Sequence, residues 1–104
     1  MDKKTRQPTH PGKIIKDDYL QPLSLTITGL ASILNVSRKT LSKIINENGA
    51  ITPDMALRLS RAFETTPQLW INLQRNYDLW KAENTSNAWQ SVQPFSTQLL
   101  HAEA

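Results

Sequence analysis

The sequence predicts an all-α domain of five helices, and two observations carry that reading. Ser37, Thr52 and Thr66 each stand where a helix N-cap is wanted, and two of them are followed at once by proline, Pro53 and Pro67. A capping side-chain oxygen accepts an orphan backbone N–H of the first turn, and proline at the first helical position lacks an N–H that would be unpaired anyway. Behind each cap, apolar residues recur at the spacing of one buried helix face. The chain has 104 residues, 38% of them apolar, which suits one domain around one small core.

Residues 1–9 are polar and carry Lys3, Lys4 and Arg6 against Asp2, the composition of a flexible basic arm able to approach a phosphate backbone. Pro11 stands at the first position of a helix expected over 11–20, with Ile14, Ile15 and Tyr19 inward. Pro22 closes it, because its ring disfavours helical geometry at Gln21. Thr26 or Thr28 caps a second helix over 29–34, with Leu30, Ala31 and Leu34 as its apolar stripe. Gly29 costs this helix about 1 kcal/mol relative to alanine, so tertiary packing must hold it. Asn35 is suited to a left-handed C-terminal position, Val36 to plugging the core and Ser37 to the next cap.

The third helix covers 37–46. Leu41, Ile44 and Ile45 mark its buried side, which leaves Arg38, Lys39, Thr40, Ser42 and Lys43 for solvent. Alone, this is equally an amphipathic surface helix with solubilising charges. Preceded by a short helix and a very short turn, it has the sequence logic of a helix-turn-helix. Arg38 and Lys39 then reach guanine O6 and N7 or adjacent phosphates, Thr40 and Ser42 a base edge or phosphate, and Lys43 a phosphate.

Glu47-Asn48-Gly49 forms the next turn, with Asn48 and Gly49 tolerant of positive φ. Thr52-Pro53-Asp54 opens the fourth helix, whose core face is Met55, Ala56, Leu59 and Phe63, with Arg58 and Arg61 pointing elsewhere. The fifth and longest helix, 67–83, is apolar at Leu69, Trp70, Leu73, Tyr77 and Trp80 and again at Ile71 and Leu79. That is more apolar perimeter than one small core covers. Trp70, Tyr77 and Trp80, with Trp89 beyond the helix, are candidates for a dimer or partner interface, although packing within the chain is the favoured explanation for Trp70 and Leu73. Residues 85–104 lack a sustained period, and Pro94 interrupts any long helix. This tail is expected to be disordered alone, to pack irregularly, or to fold onto a partner or second subunit.

The formal charge of +3 and a pI near 9.5 are compatible with nucleic acid without proving it. The absence of cysteine excludes disulfides and thiolate zinc sites. No stretch approaches a membrane span and no secretory core opens the chain, so a cytoplasmic protein is expected, with no membrane, metal or cofactor. An enzyme is disfavoured. His10 and His101 lie at opposite ends, and Asp17, Asp18, Asp54, Glu64 and Asp78 are spread over different helices with no catalytic motif among them. His10 before a proline reads as a helix-start residue.

At this point the residues resemble a known family. The chain is similar to the HigA-type (HigA/VapI-like) antitoxins of the lambda-repressor-like helix-turn-helix (XRE/Cro-C1) group. The resemblance runs from 10 to about 80. It is carried by His10-Pro11-Gly12, by Leu30-Ala31 with Leu34-Asn35-Val36-Ser37-Arg38, by the run from Ala50-Ile51-Thr52-Pro53 to Leu59, and by Pro67-Gln68-Leu69-Trp70 with Tyr77-Asp78-Leu79-Trp80.

The resemblance implies a lambda-repressor-like, five-helix DNA-binding domain over 10–84. It also implies repression of the chain's own toxin–antitoxin operon and neutralisation of a HigB/RelE-like mRNA endonuclease toxin. Carried over residue by residue, the scaffold helix is 28–34 and the recognition helix starts at Ser37. The DNA-binding set is then Thr28, Ser37, Arg38, Lys39, Thr40, Ser42 and Lys43. One short recognition helix covers few base pairs, so a homodimer on a palindromic double-stranded operator is expected.

Three departures stand out. Ile27 replaces a glutamine that holds a phosphate and braces the recognition helix, so that contact is lost or replaced by packing. Glu47 stands where glycine is usual, and Asn48-Gly49 where two basic residues are common, which would move the positive-φ position by one or two residues. Glu64 replaces a glycine after the fourth helix. The departures at Ile27 and Glu47 keep an alternative open, an interaction-only antitoxin with weak or lost DNA binding.

Overall fold

The computed structural model describes residues 6–96. Lys3 and Lys4 of the expected arm, and Leu99, Leu100 and His101 of the expected tail, lie outside the described residues. The described chain is all-α. Helix α1 begins as Pro11–Ile14 and continues without a break as the wider π-helical segment Ile15–Leu20. It is followed by α2 (Ile27–Leu34), α3 (Arg38–Ile45), α4 (Pro53–Phe63) and α5 (Pro67–Thr85), and then by a short 3-10 turn, Ala88–Ser91.

Each of the helices α1 to α5 starts at a side-chain cap. His10 Nδ1 accepts the Gly12 N–H at 2.9 Å, and Thr26 Oγ1 accepts the Gly29 N–H at 2.9 Å. Ser37, Thr52 and Thr66 do the same for Thr40, Met55 and Leu69 at 3.1, 3.2 and 3.2 Å. Because Thr26 is the cap, α2 starts at Ile27, ahead of the expected 28 or 29, and Thr28 lies inside the first turn. Helix α5 runs to Thr85, slightly past the expected 83.

Helices α2, α3 and α4 close by one device. Asn35, Glu47 and Glu64 take left-handed φ values of 60°, 64° and 56°. The next N–H reaches five residues back, from Val36 to Ala31, from Asn48 to Lys43 and from Thr65 to Ser60, at 3.0, 2.8 and 3.1 Å. This is the Schellman closure, and its left-handed residue is the one whose place the bond pattern dictates. The positive-φ position after α3 is therefore Glu47 itself. The expectation of Asn48 or Gly49 is corrected, since neither has positive φ.

The core joins Ile15 and Leu20 of α1, Leu30, Ala31 and Leu34 of α2, Leu41, Ile44 and Ile45 of α3, Met55, Ala56 and Leu59 of α4, and Trp70 of α5. Gly12 is needed where α1 crosses α3, because a Cβ there would collide with the Ile44 carbonyl. Trp70 is 0% exposed. Its indole N–H donates to Thr65 Oγ1 at 2.7 Å, and Tyr19 and Phe63, stacked with centroids 3.8 Å apart, lie beside it. Trp70 is thus corrected from interface candidate to core residue, with no surface to offer a partner. Buried Gln74 accepts the Ile51 N–H at 2.7 Å and ties the α3–α4 connection to α5.

Candidate nucleic-acid interface

Helices α2 and α3 pack against each other through the turn Asn35-Val36-Ser37. Leu41, Ile44 and Ile45 face the core, so helical geometry turns Arg38, Lys39, Thr40 and Lys43 outward, with Ser42 half-buried at the edge. No acidic residue occurs between Asp18 and Glu47, so nothing in α2, the turn or α3 opposes that positive face.

The hydroxyls on this face are wired locally. Ser37 Oγ accepts the Thr40 N–H and donates to Thr40 Oγ1 at 2.9 Å. Asn46 Nδ2 donates to Ser42 Oγ at 3.3 Å. With their oxygens already accepting, Thr40 and Ser42 keep their hydroxyl protons to give outward. The cations Arg38, Lys39 and Lys43 are donors only. The face therefore offers hydrogen-bond donors to an acceptor-rich, negatively charged ligand, the chemistry of phosphate oxygens and purine N7 and O6.

Thr28 joins this face from α2, because Arg38 Nε donates to Thr28 Oγ1 at 3.0 Å. Ile27 packs against the core rim, so the glutamine position is filled by packing rather than by a polar brace. Glu47 is exposed at the far end of α3. The structure thus gathers Thr28, Ser37, Arg38, Lys39, Thr40, Ser42 and Lys43 on one side.

Two contributors escaped the sequence reading. Asn46 orients Ser42, a pairing visible only as i,i+4 spacing. Arg58, expected to point away, instead reaches back to the turn. Its Nη1 donates to the Leu34 and Asn35 carbonyls at 2.9 and 3.1 Å, while Nε is held by Asp54 at 2.7 Å.

The remaining aromatic candidates lie elsewhere. Tyr77 meets His10 edge-on at 4.7 Å, Trp80 lies 6.3 Å from Tyr77, and both are half-buried in their own chain. Trp89 is 46% exposed, with its N–H donated to the Ser86 carbonyl. Burial lowers the His10 pKa below its ordinary value, partly offset by Glu47 and the Gly49 backbone. Among the described residues no group of three His, Cys, Asp or Glu is placed to hold a metal, and no helix is long and apolar enough to cross a membrane.

Comparison with known proteins agrees with this geometry. A helix-turn-helix family profile matches residues 18–70. An HTH-type transcriptional regulator of Haemophilus influenzae is 47% identical over 88 residues, covering 85% of this chain and 82% of its own. The antitoxin HigA-1 of Vibrio cholerae is 37% identical over 100 residues, 96% of this chain and 91% of its own. The solved structure of the Pseudomonas aeruginosa antitoxin HigA with the higBA promoter superimposes with a TM-score of 0.76 at 37% identity, covering 86% of this chain and 99% of that one.

Proposed function

This chain belongs to the helix-turn-helix family and, within it, to the HigA-type antitoxins, and we infer that it binds operator DNA at its own promoter, represses its own operon and neutralises a partner toxin. The observation that carries the DNA half is the donor-rich face of α3, where Arg38, Lys39, Thr40, Ser42 and Lys43 stand together with no carboxylate among them. Membership makes the chain a DNA-binding regulator rather than a catalyst.

The toxin we assign is a RelE-like mRNA endonuclease encoded beside this gene. The DNA-bound form we assign is a homodimer. Two copies of α3, about 34–36 Å or a multiple apart, would read a palindromic operator. The outer side of α5, with Leu79 exposed, and the tail bearing Trp89 supply apolar surface for the second copy.

A gel-shift on the DNA immediately upstream of the gene, paired with light scattering, tests this reading. Saturable, salt-sensitive binding by a dimer is expected. Binding no tighter than to unrelated DNA, with toxin neutralisation retained, would replace it by the interaction-only alternative that Glu47 and Ile27 suggest.

A further inference from the structure

We propose that Thr28 is a positioning residue that holds Arg38 as a clamp on the DNA backbone. The proposal rests on the operator-binding reading and assigns how one part of that face works. Arg38 is the first residue of α3 and Thr28 the second of α2, and the bond from Arg38 Nε to Thr28 Oγ1 at 3.0 Å crosses between the two helix starts. A base-reading side chain projects from the recognition helix into the groove. Arg38 is instead folded toward α2, and the first helix of a helix-turn-helix is the one that crosses the backbone.

With Nε committed to Thr28, the guanidinium presents only its terminal Nη1 and Nη2 donors. That end-on fork can pair with two oxygens of a phosphate or with guanine O6 and N7, and the bond to Thr28 turns it toward α2 and the backbone side. Next to Thr28, Ile27 packs into the core rim and has no polar group to contribute. Sequence readout is left to Lys39, Thr40 and Ser42.

Binding of T28V, T28S, R38A and the T28V/R38A double variant, measured over a salt series on the upstream duplex and on a scrambled duplex of equal length, tests the assignment. R38A should weaken both duplexes by the same factor and reduce the salt slope by about 0.9. T28V should weaken both by about three- to tenfold, T28S should bind as the parent chain does, and T28V should add nothing to R38A. Thr28 is exposed, so the urea midpoint of T28V should stay unchanged. Parent-like binding by T28V, additive losses in the double variant, or relaxed discrimination at one base pair in R38A would overturn this assignment alone. If the parent chain bound neither duplex, the operator reading would fall with it.

Discussion

The Arg58 guanidinium on α4 donates to the Leu34 carbonyl at 2.9 Å and so grips the C-terminal end of α2, 24 residues earlier in the chain. The turn that orients α3 is thereby fastened to α4 as well as closed by its own backbone. Arg58→Leu removes the donors and leaves those carbonyls without their partner, which should cost about 1–2 kcal/mol. Arg58→Lys should recover only part of it, because a point charge cannot reproduce the fork that also holds Asp54. Urea denaturation monitored by circular dichroism reads both, and an unchanged midpoint in Arg58→Leu would refute the role.

Glu64 ends α4 at φ 56°. A non-glycine residue there bears the steric cost of the left-handed region. Glu64→Gly relieves that cost and should stabilise the fold by about 0.5–1 kcal/mol. For a domain this small, that is a rise of several degrees in Tm. A lower Tm would show that Glu64 makes a contribution outweighing its strain.

His10 is a buried cap whose Nδ1 must stay unprotonated to accept the Gly12 N–H. Its folded pKa is lowered from 6.5, chiefly by burial, while Glu47 and Asp78 oppose that shift and Lys81 reinforces it. The unfolded chain therefore binds a proton more readily. Stability from this group is complete above the ordinary value and is lost as pH falls through the folded one. The urea midpoint should drop between about pH 7 and pH 5, before carboxylates titrate. His10→Asn keeps a capping oxygen without a titrating group and should flatten that slope; an equally steep slope in the variant would assign the pH dependence to another group.

Lys39 and Lys43 share the exposed face of α3 one turn apart, yet different effects are expected of them. Lys43→Ala should weaken binding to all duplexes alike and lower the salt slope by about one unit, as a phosphate contact does. Lys39→Ala should relax discrimination at one base pair by about 1–3 kcal/mol. Competition with single-base operator variants separates the two, and identical relative affinities in Lys39→Ala would contradict a reading role.

Most of the fold is legible in the chain because the signals that start and stop these helices are satisfied within a few residues. Ser37, Thr52 and Thr66 bond N–H groups three residues on, and Asn35 closes α2 against its own last turn. The apolar backs of α3 and α4 follow from their spacing, and so does the polar front of α3. Thr26 and Thr28 were equally able to cap α2, and the structure uses Thr26. After α3 the left-handed residue is Glu47, against the expectation of Asn48 or Gly49, because the backbone bond pattern set that place.

Which distant groups meet is set by the packing of the helices. The burial of Trp70, the reach of Arg58 to Leu34 and the bond between Arg38 and Thr28 all depend on how helices cross. Crossing angles arise from packing the whole core at once, which no local spacing records. Local spacing and the Ser37 cap make α3 a helix with donors on one side. The packing of α2 and α4 around it determined which of those donors is held in place and by what.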